Sequence, residues 1–335
     1  MLSDATNQRQ PANDHSNMTQ TCPVAVVIPV FNRRLKLIKT LETVVAQSKL
    51  PALLIVVDDG STDGTADAAK NWLASNAPFE WRVVSQENAG VSVARNAGFS
   101  LVGELPFVCF LDSDDLWPPD FISEGLNAFG GDADIVAAVA DRVIQREGRK
   151  KPVESLRPLA RDPLHWVICR DGAILSCSMI RSSAARAAGL FKPGLHVSED
   201  TDFLLRLFLL GRVAHSGAAP VLFIKRAPLE PGEPPNLSHG TPELRYIWSG
   251  HRMESLLNLP QAVYREYEPI ICTAVAGRWA SLAFSANKKG DNWLAFRSLL
   301  HAIWWDPDHE RRLKLAWAFL RGRKSALEYY RTNFE

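Results

Sequence analysis

Short apolar runs and helical-period segments alternate over the first third of the chain. "VAVVIPV" (24–30) is a β-branched run stopped by "FNRR", and the next segment, "LKLIKTLETVVAQS", has the spacing of an amphipathic helix. The alternation then repeats through three further apolar runs, at 53–57, 81–85 and 107–111. Strands this apolar are buried on both faces, and strand–helix alternation builds a parallel sheet. The pattern therefore predicts an α/β fold with a doubly wound, mostly parallel sheet.

Two of these apolar runs end in carboxylates. Asp58 and Asp59 follow "LLIVV", while Asp112, Asp114 and Asp115 follow "FVCFL". The carboxyl ends of parallel strands share one rim, where open α/β sheets bind ligands, so both groups can face one pocket. Carboxylates this close repel one another, and their hard oxygens suit Mg²⁺ or Mn²⁺ bound together with phosphates. The alternative is that they only cap turns, but two acidic groups on one rim favour a site.

The loop after the second run also has a calcium interpretation. Asp59, Ser61, Asp63 and Gly64 occupy the first, third, fifth and sixth places of an EF-hand loop. Such a loop lies between two helices and ends in Glu at its twelfth place, whereas here a strand precedes it and Lys70 stands at that place. The sequence therefore argues against a calcium module.

The segment "ENAGVSVARNAGFS" lies between the two acidic groups. Gly90 opens a predicted helix, whose first free amides can hold a phosphate. Arg95 in the second turn of that helix can supply a charge-assisted contact to a diphosphate. An isolated arginine on a helix is more often simply solvated. The position of Arg95 between the two acidic groups is what favours a role in binding.

Five motifs occur in order and at suitable spacing between Val24 and Ile224: "VVIPVFNR", "VVDDGSTDGT", "ENAGVSVARNAG", "FLDSDD" and "SEDTDFLLRL". Together they resemble family 2 glycosyltransferases, which are inverting enzymes of the GT-A fold. Any one of these motifs is weak evidence. Five in register make a strong resemblance.

The resemblance implies a role for each matching position, because members of that family bind a nucleotide-diphospho-sugar at the rim. Asp59 would hydrogen-bond the base or ribose, and Arg95 would lie near the diphosphate. Asp112 and Asp114 match the family's DxD motif, in which one carboxylate contacts the ribose and another holds the divalent metal, Mn²⁺ or Mg²⁺. Asp115 follows directly and is a third candidate ligand, with Asp114 the first choice. The loop implied to contact the nucleoside contains Pro29, Phe31 and Asn32.

The acceptor hydroxyl needs a general base, and "SEDTDFLLRL" supplies two candidates. Glu199 and Asp200 stand at the start of a predicted helix, where the dipole favours anions. Resemblance to the family's ED motif implies Asp200 as the base, with Glu199 orienting the acceptor or supporting the loop. Taken alone, the pair is more typical of an ordinary acidic helix start than of a catalytic site.

Two further segments have less certain roles. In "ILSCSMIRSSAARAAGLF" (174–191) we expect a strand and a short helix on the acceptor side, with Ser176 and Ser178 sharing one face of that strand. Family members often carry a metal- or diphosphate-contacting histidine after the strand corresponding to "VLFIKR". This chain departs from that pattern, because Pro228 stands near the place and the nearest imidazole is His239. The Pro-rich segment predicts a mobile loop over the donor.

Composition and charge restrict location and partners. The 335 residues include 38 Lys and Arg against 37 Asp and Glu, which leaves no global attraction for nucleic acid. The five cysteines are widely spaced and mostly in apolar runs, as expected for reduced thiols of a cytoplasmic protein. No uninterrupted apolar run approaches the roughly 20 residues of a membrane-spanning helix, so we expect a protein that is not integral to a membrane.

The chain is predicted to contain a disordered polar tail (1–22), a GT-A domain (23–240) and a helical region (241–335). The last predicted helix combines many basic residues with an apolar stripe at Leu313, Trp317 and Leu320. Such a helix can lie on an anionic membrane, which would suit a lipid-linked acceptor. Packing against the preceding helices, or a contact in a homodimer, is the favoured alternative.

These features predict a metal-dependent inverting glycosyltransferase of cell-surface glycan synthesis. It would move a sugar from a nucleotide-diphospho-sugar to a hydroxyl of a glycan, lipid-linked or protein acceptor, in the cytoplasm or at the inner face of the membrane. Two other classes stay open. A non-catalytic protein on the same scaffold would bind nucleotide-sugar without transfer, and a glycoside hydrolase would use paired carboxylates without nucleotide or metal.

Overall fold

The computed structural model describes residues 21–146, 148–170, 174–195, 198–225, 253–308, 310 and 314. The chain divides into two compact units. The first comprises Met1–Leu164 with Gly172–Asn236, and the second His165–Asp171 with Leu237–Glu335. The predicted boundary at residue 240, His239 and the apolar stripe of the last predicted helix lie outside the described residues, as does the tail up to residue 20.

Strands and helices alternate from the start of the first unit, as the apolar pattern predicts. The elements up to the second acidic group are β1 (Thr21–Val30), α1 (Arg34–Val45), β2 (Leu50–Asp58), α2 (Thr65–Asn76), β3 (Glu80–Ser85), α3 (Val91–Ser100) and β4 (Phe107–Phe110). Thr21 and Cys22 belong to β1 and not to the tail to which we assigned them, because their backbones pair with β2.

The remaining elements follow in chain order. They are β5 (Asp115–Leu116), α4 (Phe121–Phe129), β6 (Ile135–Val139), β7 (Arg142–Arg146), β8 (Arg149–Lys150), α5 (Arg157–Arg161), α6 (Pro163–Cys169), β9 (Ser178–Arg181), α7 (Ser182–Ala187), α8 (Glu199–Phe208), β10 (Arg212–His215), β11 (Val221–Lys225), α9 (253–257), α10 (Gln261–Lys289) and α11 (Asn292–Trp305).

A seven-stranded sheet forms the centre of the first unit, with strand order β10-β6-β9-β4-β1-β2-β3. The pairs β4–β1, β1–β2 and β2–β3 are parallel, and β9 alone in this sheet runs antiparallel to both of its neighbours. The prediction of a mostly parallel α/β sheet is therefore confirmed. The carboxyl ends of β1, β2, β3 and β4 consequently lie along one rim. A second, four-stranded sheet has the order β5-β11-β7-β8.

Two features hold helices close to the rim. Gly98 lets α3 approach the sheet, since a Cβ there would overlap the side chain of Val27. Phe110 of β4 packs edge-on against Phe191 at 5.0 Å, and Phe191 lies 4.5 Å from Phe203 of α8. All three rings are almost fully buried, so this cluster anchors α8 to β4 just below the acidic residues.

Within the second unit, α10 and α11 pack on each other, and Trp279 stacks on His301 at 4.4 Å. By length and composition, the segment Gln261–Asn287 of α10 would suffice to cross a membrane. Our expectation that no segment could do so rested on uninterrupted apolar runs, which a helix with scattered polar residues lacks. A buried core helix meets the same criterion, and 44% of the most apolar stretch of α10 is buried.

Candidate active site

Asp59, the residue after β2, holds the loop that follows β3. Its Oδ1 accepts hydrogen bonds from Gln86 Nε2 at 2.8 Å and from the Ala89 N–H at 2.9 Å, while its Oδ2 accepts from the Gly90 N–H at 2.9 Å. The residue is 5% exposed. Gly90 immediately precedes α3, as predicted, and its own amide is engaged by this carboxylate. A contact of Asp59 with a base or ribose stays a prediction. The base or ribose would have to share the carboxylate with these three protein donors.

The end of β1 is tied to the loop after β2. Asn32 has a φ of 48°, its N–H donates to Ser61 Oγ at 2.8 Å, and its Oδ1 accepts from the Thr62 N–H at 2.8 Å. Pro29 is buried within β1, whereas Phe31 and Asn32 are half-buried. Of the three residues expected at the nucleoside, Phe31 and Asn32 thus retain accessible surface at the rim.

Arg95 of α3 lies between the two predicted halves of the site. Its Nη2 donates to Asp112 Oδ1 at 2.8 Å, its Nη1 donates to Glu199 Oε1 at 2.9 Å, and its guanidinium lies 5.1 Å from the centre of the Phe191 ring. The side chain is 4% exposed. Burial alone would lower the pKa of Arg95, but the two carboxylates raise it above its ordinary value, so the group stays charged. Arg95 thus joins two carboxylates, and its place near the diphosphate of a donor stays a prediction.

The acidic residues after β4 differ in environment. The side chain of Asp112 is 33% exposed, and that of Asp114 is 9% exposed and pairs with Arg33 at 3.1 Å. Asp115 is fully buried in β5, and its backbone lies opposite Phe223 in the antiparallel pairing of β5 with β11. Asp115 is therefore enclosed by protein, and the prediction of a metal ligand rests on Asp112 and Asp114.

Ser176 supports the backbone of this acidic loop. Its Oγ accepts from the Asp112 N–H at 3.2 Å, and its carbonyl accepts from Trp117 Nε1 at 2.7 Å. Ser176 lies in a short 3₁₀ turn (Leu175–Cys177) ahead of β9, which begins at Ser178. The expectation that Ser176 and Ser178 share a strand face is therefore wrong, because the chain turns between them.

Glu199 and Asp200 open α8, as predicted. Burial, and then the neighbouring Asp200 carboxylate, raise the pKa of Glu199 to about 7 against the lowering effect of Arg95. Asp200 is half-buried, and its Oδ1 accepts from the Thr201 N–H at 2.6 Å. Of these two carboxylates, Glu199 therefore faces Arg95, and Asp200 binds the backbone of its own turn.

The donor set around the acidic loop suits a divalent cation only in part. Among the residues that the structure describes, no three His, Cys, Asp or Glu side chains converge as metal ligands. Mg²⁺ and Mn²⁺ are commonly held by one or two carboxylates together with substrate phosphates, and Asp112 and Asp114 meet that requirement. The chemistry of the site therefore fits a metal that arrives with a phosphate ligand.

Sequence reasoning found the carboxylates but missed three of the residues that hold them: Arg33, Gln86 and Ser176. Arg33 lies inside the quoted motif "VVIPVFNR", and its place next to Asn32 on the rim was the available signal. Gln86 and Ser176 carry no comparable signal, since their partners come from distant parts of the chain.

Residues 25–187 match the model of glycosyl transferase family 2. The chain is 32% identical over 144 residues to the uncharacterized glycosyltransferase YibD of Escherichia coli (strain K12), covering 42% of this chain and 41% of the relative. It is 27% identical over 199 residues to chondroitin synthase of Escherichia coli, covering 57% of this chain and 27% of that protein. The chain thus spans less than half the length of these two relatives.

Two solved structures share the fold. TarS 1-349 of S. aureus in complex with UDP-GlcNAc aligns with a TM-score of 0.62 at 19% identity, covering 92% of this chain and 89% of that structure. The mannosyltransferase PcManGT from Pyrobaculum calidifontis, in complex with GDP-Man and Mn²⁺, aligns with a TM-score of 0.57 at 18% identity, covering 97% and 86%. The rim of acidic residues, the order of the motifs along the chain and these matches all indicate the same fold. Residues 25–187 therefore match glycosyl transferase family 2, and the chain has the GT-A fold.

Proposed function

We propose that the protein transfers a sugar from a nucleotide-diphospho-sugar to an acceptor hydroxyl, with inversion and with the help of a divalent metal. One observation carries this proposal: the single buried guanidinium of Arg95 contacts both Asp112 and Glu199. The motif assigned to the donor and the motif assigned to the acceptor are thereby held together at one rim, as a direct transfer between two bound substrates requires.

The donor side of the proposal rests on the rim and on the two solved structures. The first contains UDP-GlcNAc, and the second contains GDP-Man and Mn²⁺. In this chain Phe31, Asn32 and Asp59 lie at the ends of adjacent strands, where a nucleoside would be recognised. We extend to this chain the general class of donor and leave the base and the sugar open.

The chemistry assigns different tasks to the residues on the two sides of Arg95. A bound Mn²⁺ or Mg²⁺, held by Asp112 and Asp114 with the donor's phosphates, would act as a Lewis acid for the leaving diphosphate. Asp200 takes the proton of the acceptor hydroxyl as that oxygen attacks the anomeric carbon, which inverts its configuration in a single displacement. The Thr201 N–H orients the Asp200 carboxylate for this task. Glu199, held by Arg95, keeps the first turn of α8 in place.

The acceptor class in this proposal rests on a named relative. One relative is named a chondroitin synthase, which is a polysaccharide-forming enzyme. We therefore propose a glycan, lipid-linked or protein acceptor in cell-surface glycan synthesis, with the reaction in the cytoplasm or at the inner face of the membrane.

Melting temperature measured with a panel of nucleotide-sugars, with and without Mn²⁺, tests the donor assignment, because a bound donor stabilises the fold by mass action. We expect a shift with one donor class that is larger in the presence of Mn²⁺. Proton NMR of the transfer product then gives the anomeric configuration, which should be opposite to that of the donor. Donor binding without turnover would instead support a non-catalytic protein. Hydrolysis of a glycoside without nucleotide would support a hydrolase.

A further inference from the structure

The rim carries a second arginine beside the acidic loop. Arg33 follows β1, and its Nη1 lies 3.1 Å from Asp114 Oδ2. The two side chains are 18% and 9% exposed, so the pair is largely shielded from solvent. A carboxylate this buried requires a neutralising partner, and Arg33 supplies a positive charge to it.

The position of Arg33 conflicts with a metal on the same carboxylate. A divalent cation bound to Asp114 needs a carboxylate oxygen and repels a guanidinium a few ångströms away. The positive charge of Arg33 therefore opposes a cation at the Asp114 carboxylate, and binding of either one weakens the binding of the other.

Hydrogen bonds fix the backbone of Arg33. The Arg33 N–H donates to Thr65 Oγ1 at 3.3 Å, and the Arg33 carbonyl accepts from the Leu37 N–H at 2.9 Å, which anchors the residue at the start of α1. The 3.1 Å separation from Asp114 is longer than the roughly 2.8 Å of a strong charge-assisted hydrogen bond. Rotation of the side chain alone would separate the guanidinium from Asp114 with the backbone left in place.

We infer that Arg33 competes with the divalent cation for Asp114 and thereby sets the protein's affinity for that cation. Arg33 neutralises Asp114 while the metal is absent, and the metal displaces the guanidinium when it binds together with the donor's phosphates. This inference rests on the proposed function, because that proposal assigns the metal to Asp114. Arg33 acts here as a residue that tunes binding and takes no part in bond formation.

Electron paramagnetic resonance of Mn²⁺ tests the competition directly, since it measures free against bound ion and needs no transfer activity. The full-length protein is titrated with Mn²⁺ alone, and then with Mn²⁺ in the presence of UDP or of GDP. We expect Arg33→Gln to bind Mn²⁺ about tenfold more tightly than wild type, because a competing positive charge is lost. The matched control is Arg34→Gln, which removes an exposed arginine at the next position and should leave Mn²⁺ affinity unchanged.

A double-variant cycle locates the effect at Asp114. Asp114→Asn should weaken Mn²⁺ binding, and adding Arg33→Gln to it should give no further gain. Equal or weaker Mn²⁺ binding by Arg33→Gln, with an unchanged circular dichroism spectrum, overturns the inference. If both proteins bind nucleotide in that case, the proposed function stands without it. If neither folded protein binds any nucleotide, the proposed function fails, and the Mn²⁺ titration without nucleotide still decides whether the ion and Arg33 compete.

Discussion

Arg95 Nη1 and Glu199 Oε1 lie 2.9 Å apart, which ties α3 to the first turn of α8 across 104 residues of sequence. The same guanidinium reaches Asp112, 17 residues away in the chain. Arginine is suited to bind two carboxylates at once, because its planar guanidinium offers several donors in fixed directions. One side chain thus bridges the acidic loop and the first turn of α8, in addition to the aromatic cluster that packs α8 against β4.

Arg95→Ala should destabilise the fold strongly, because it leaves two carboxylates, one of them largely buried, without their shared cation. Breaking a buried ion pair costs about 3–5 kcal/mol. Arg82→Ala is the matched control: it removes the partner of Glu80 in an exposed pair, whose loss costs about 0–1 kcal/mol. Urea unfolding followed by circular dichroism gives both values. Equal free energies of unfolding for the two variants would show that Arg95 does not brace the site.

Asp200→Asn should abolish transfer and spare the fold. Loss of a general base lowers the rate by about 10²- to 10⁴-fold, while the amide oxygen of Asn can still accept from the Thr201 N–H. Asp202→Asn in the same turn is expected to behave in the opposite way, since buried Asp202 pairs with Lys192 and Arg206 and serves the fold. Initial rates and melting temperatures of both variants make the comparison. Unchanged transfer by Asp200→Asn removes it from the mechanism.

Asp59→Asn should loosen the loop after β3. The variant keeps one acceptor oxygen but turns an amide NH₂ toward donors that the carboxylate now satisfies, which we expect to cost about 2 kcal/mol. Hydrogen exchange at the Ala89 and Gly90 amides should quicken, because both donate to this carboxylate. Asp67→Asn, at a side chain that is 83% exposed, controls for the lost charge. Unaltered exchange at both amides would contradict the loop-holding role.

Glu199 should make stability depend on pH. Its pKa is raised from 4.5 to about 7 in the folded protein, so the folded state binds this proton more tightly than the unfolded state. The resulting stabilisation is complete below about pH 4.5 and is lost as the pH rises to about 7. Glu199→Gln cannot ionise. The melting temperature of this variant minus that of wild type should therefore increase as the pH rises from 5 to 8.

The control for this pH effect is Glu104→Gln, which removes one negative charge at an exposed position. Melting temperatures of wild type and both variants across the pH range provide the measurement. A difference between Glu199→Gln and wild type that stays constant with pH would mean that Glu199 does not titrate in this interval.

Local patterns were enough to predict the frame of the site. Continuous β-branched runs separated by helical periods specify buried parallel strands, and parallel strands bring their carboxyl ends to one rim. Asp59, Asp112 and Asp114 could therefore be placed on that rim from sequence. The start of α8 at Glu199 was also readable, because acidic residues before a helical period favour a helix N-terminus.

Contacts between distant side chains could not be predicted in the same way. That Arg95 is buried between two carboxylates, and that Arg33 faces Asp114, depends on how α3, α8 and the loop after β1 pack over the sheet. The antiparallel direction of β9 and the turn at Ser176 could not be predicted either. A short apolar run does not encode the direction in which it pairs.

By itself the sequence determined which residues carry charge at the strand ends, because side-chain period and strand burial are local properties. The tertiary structure alone decided which of those charges neutralise one another, because ion pairs form between atoms that folding brings within about 4 Å, whatever their separation along the chain.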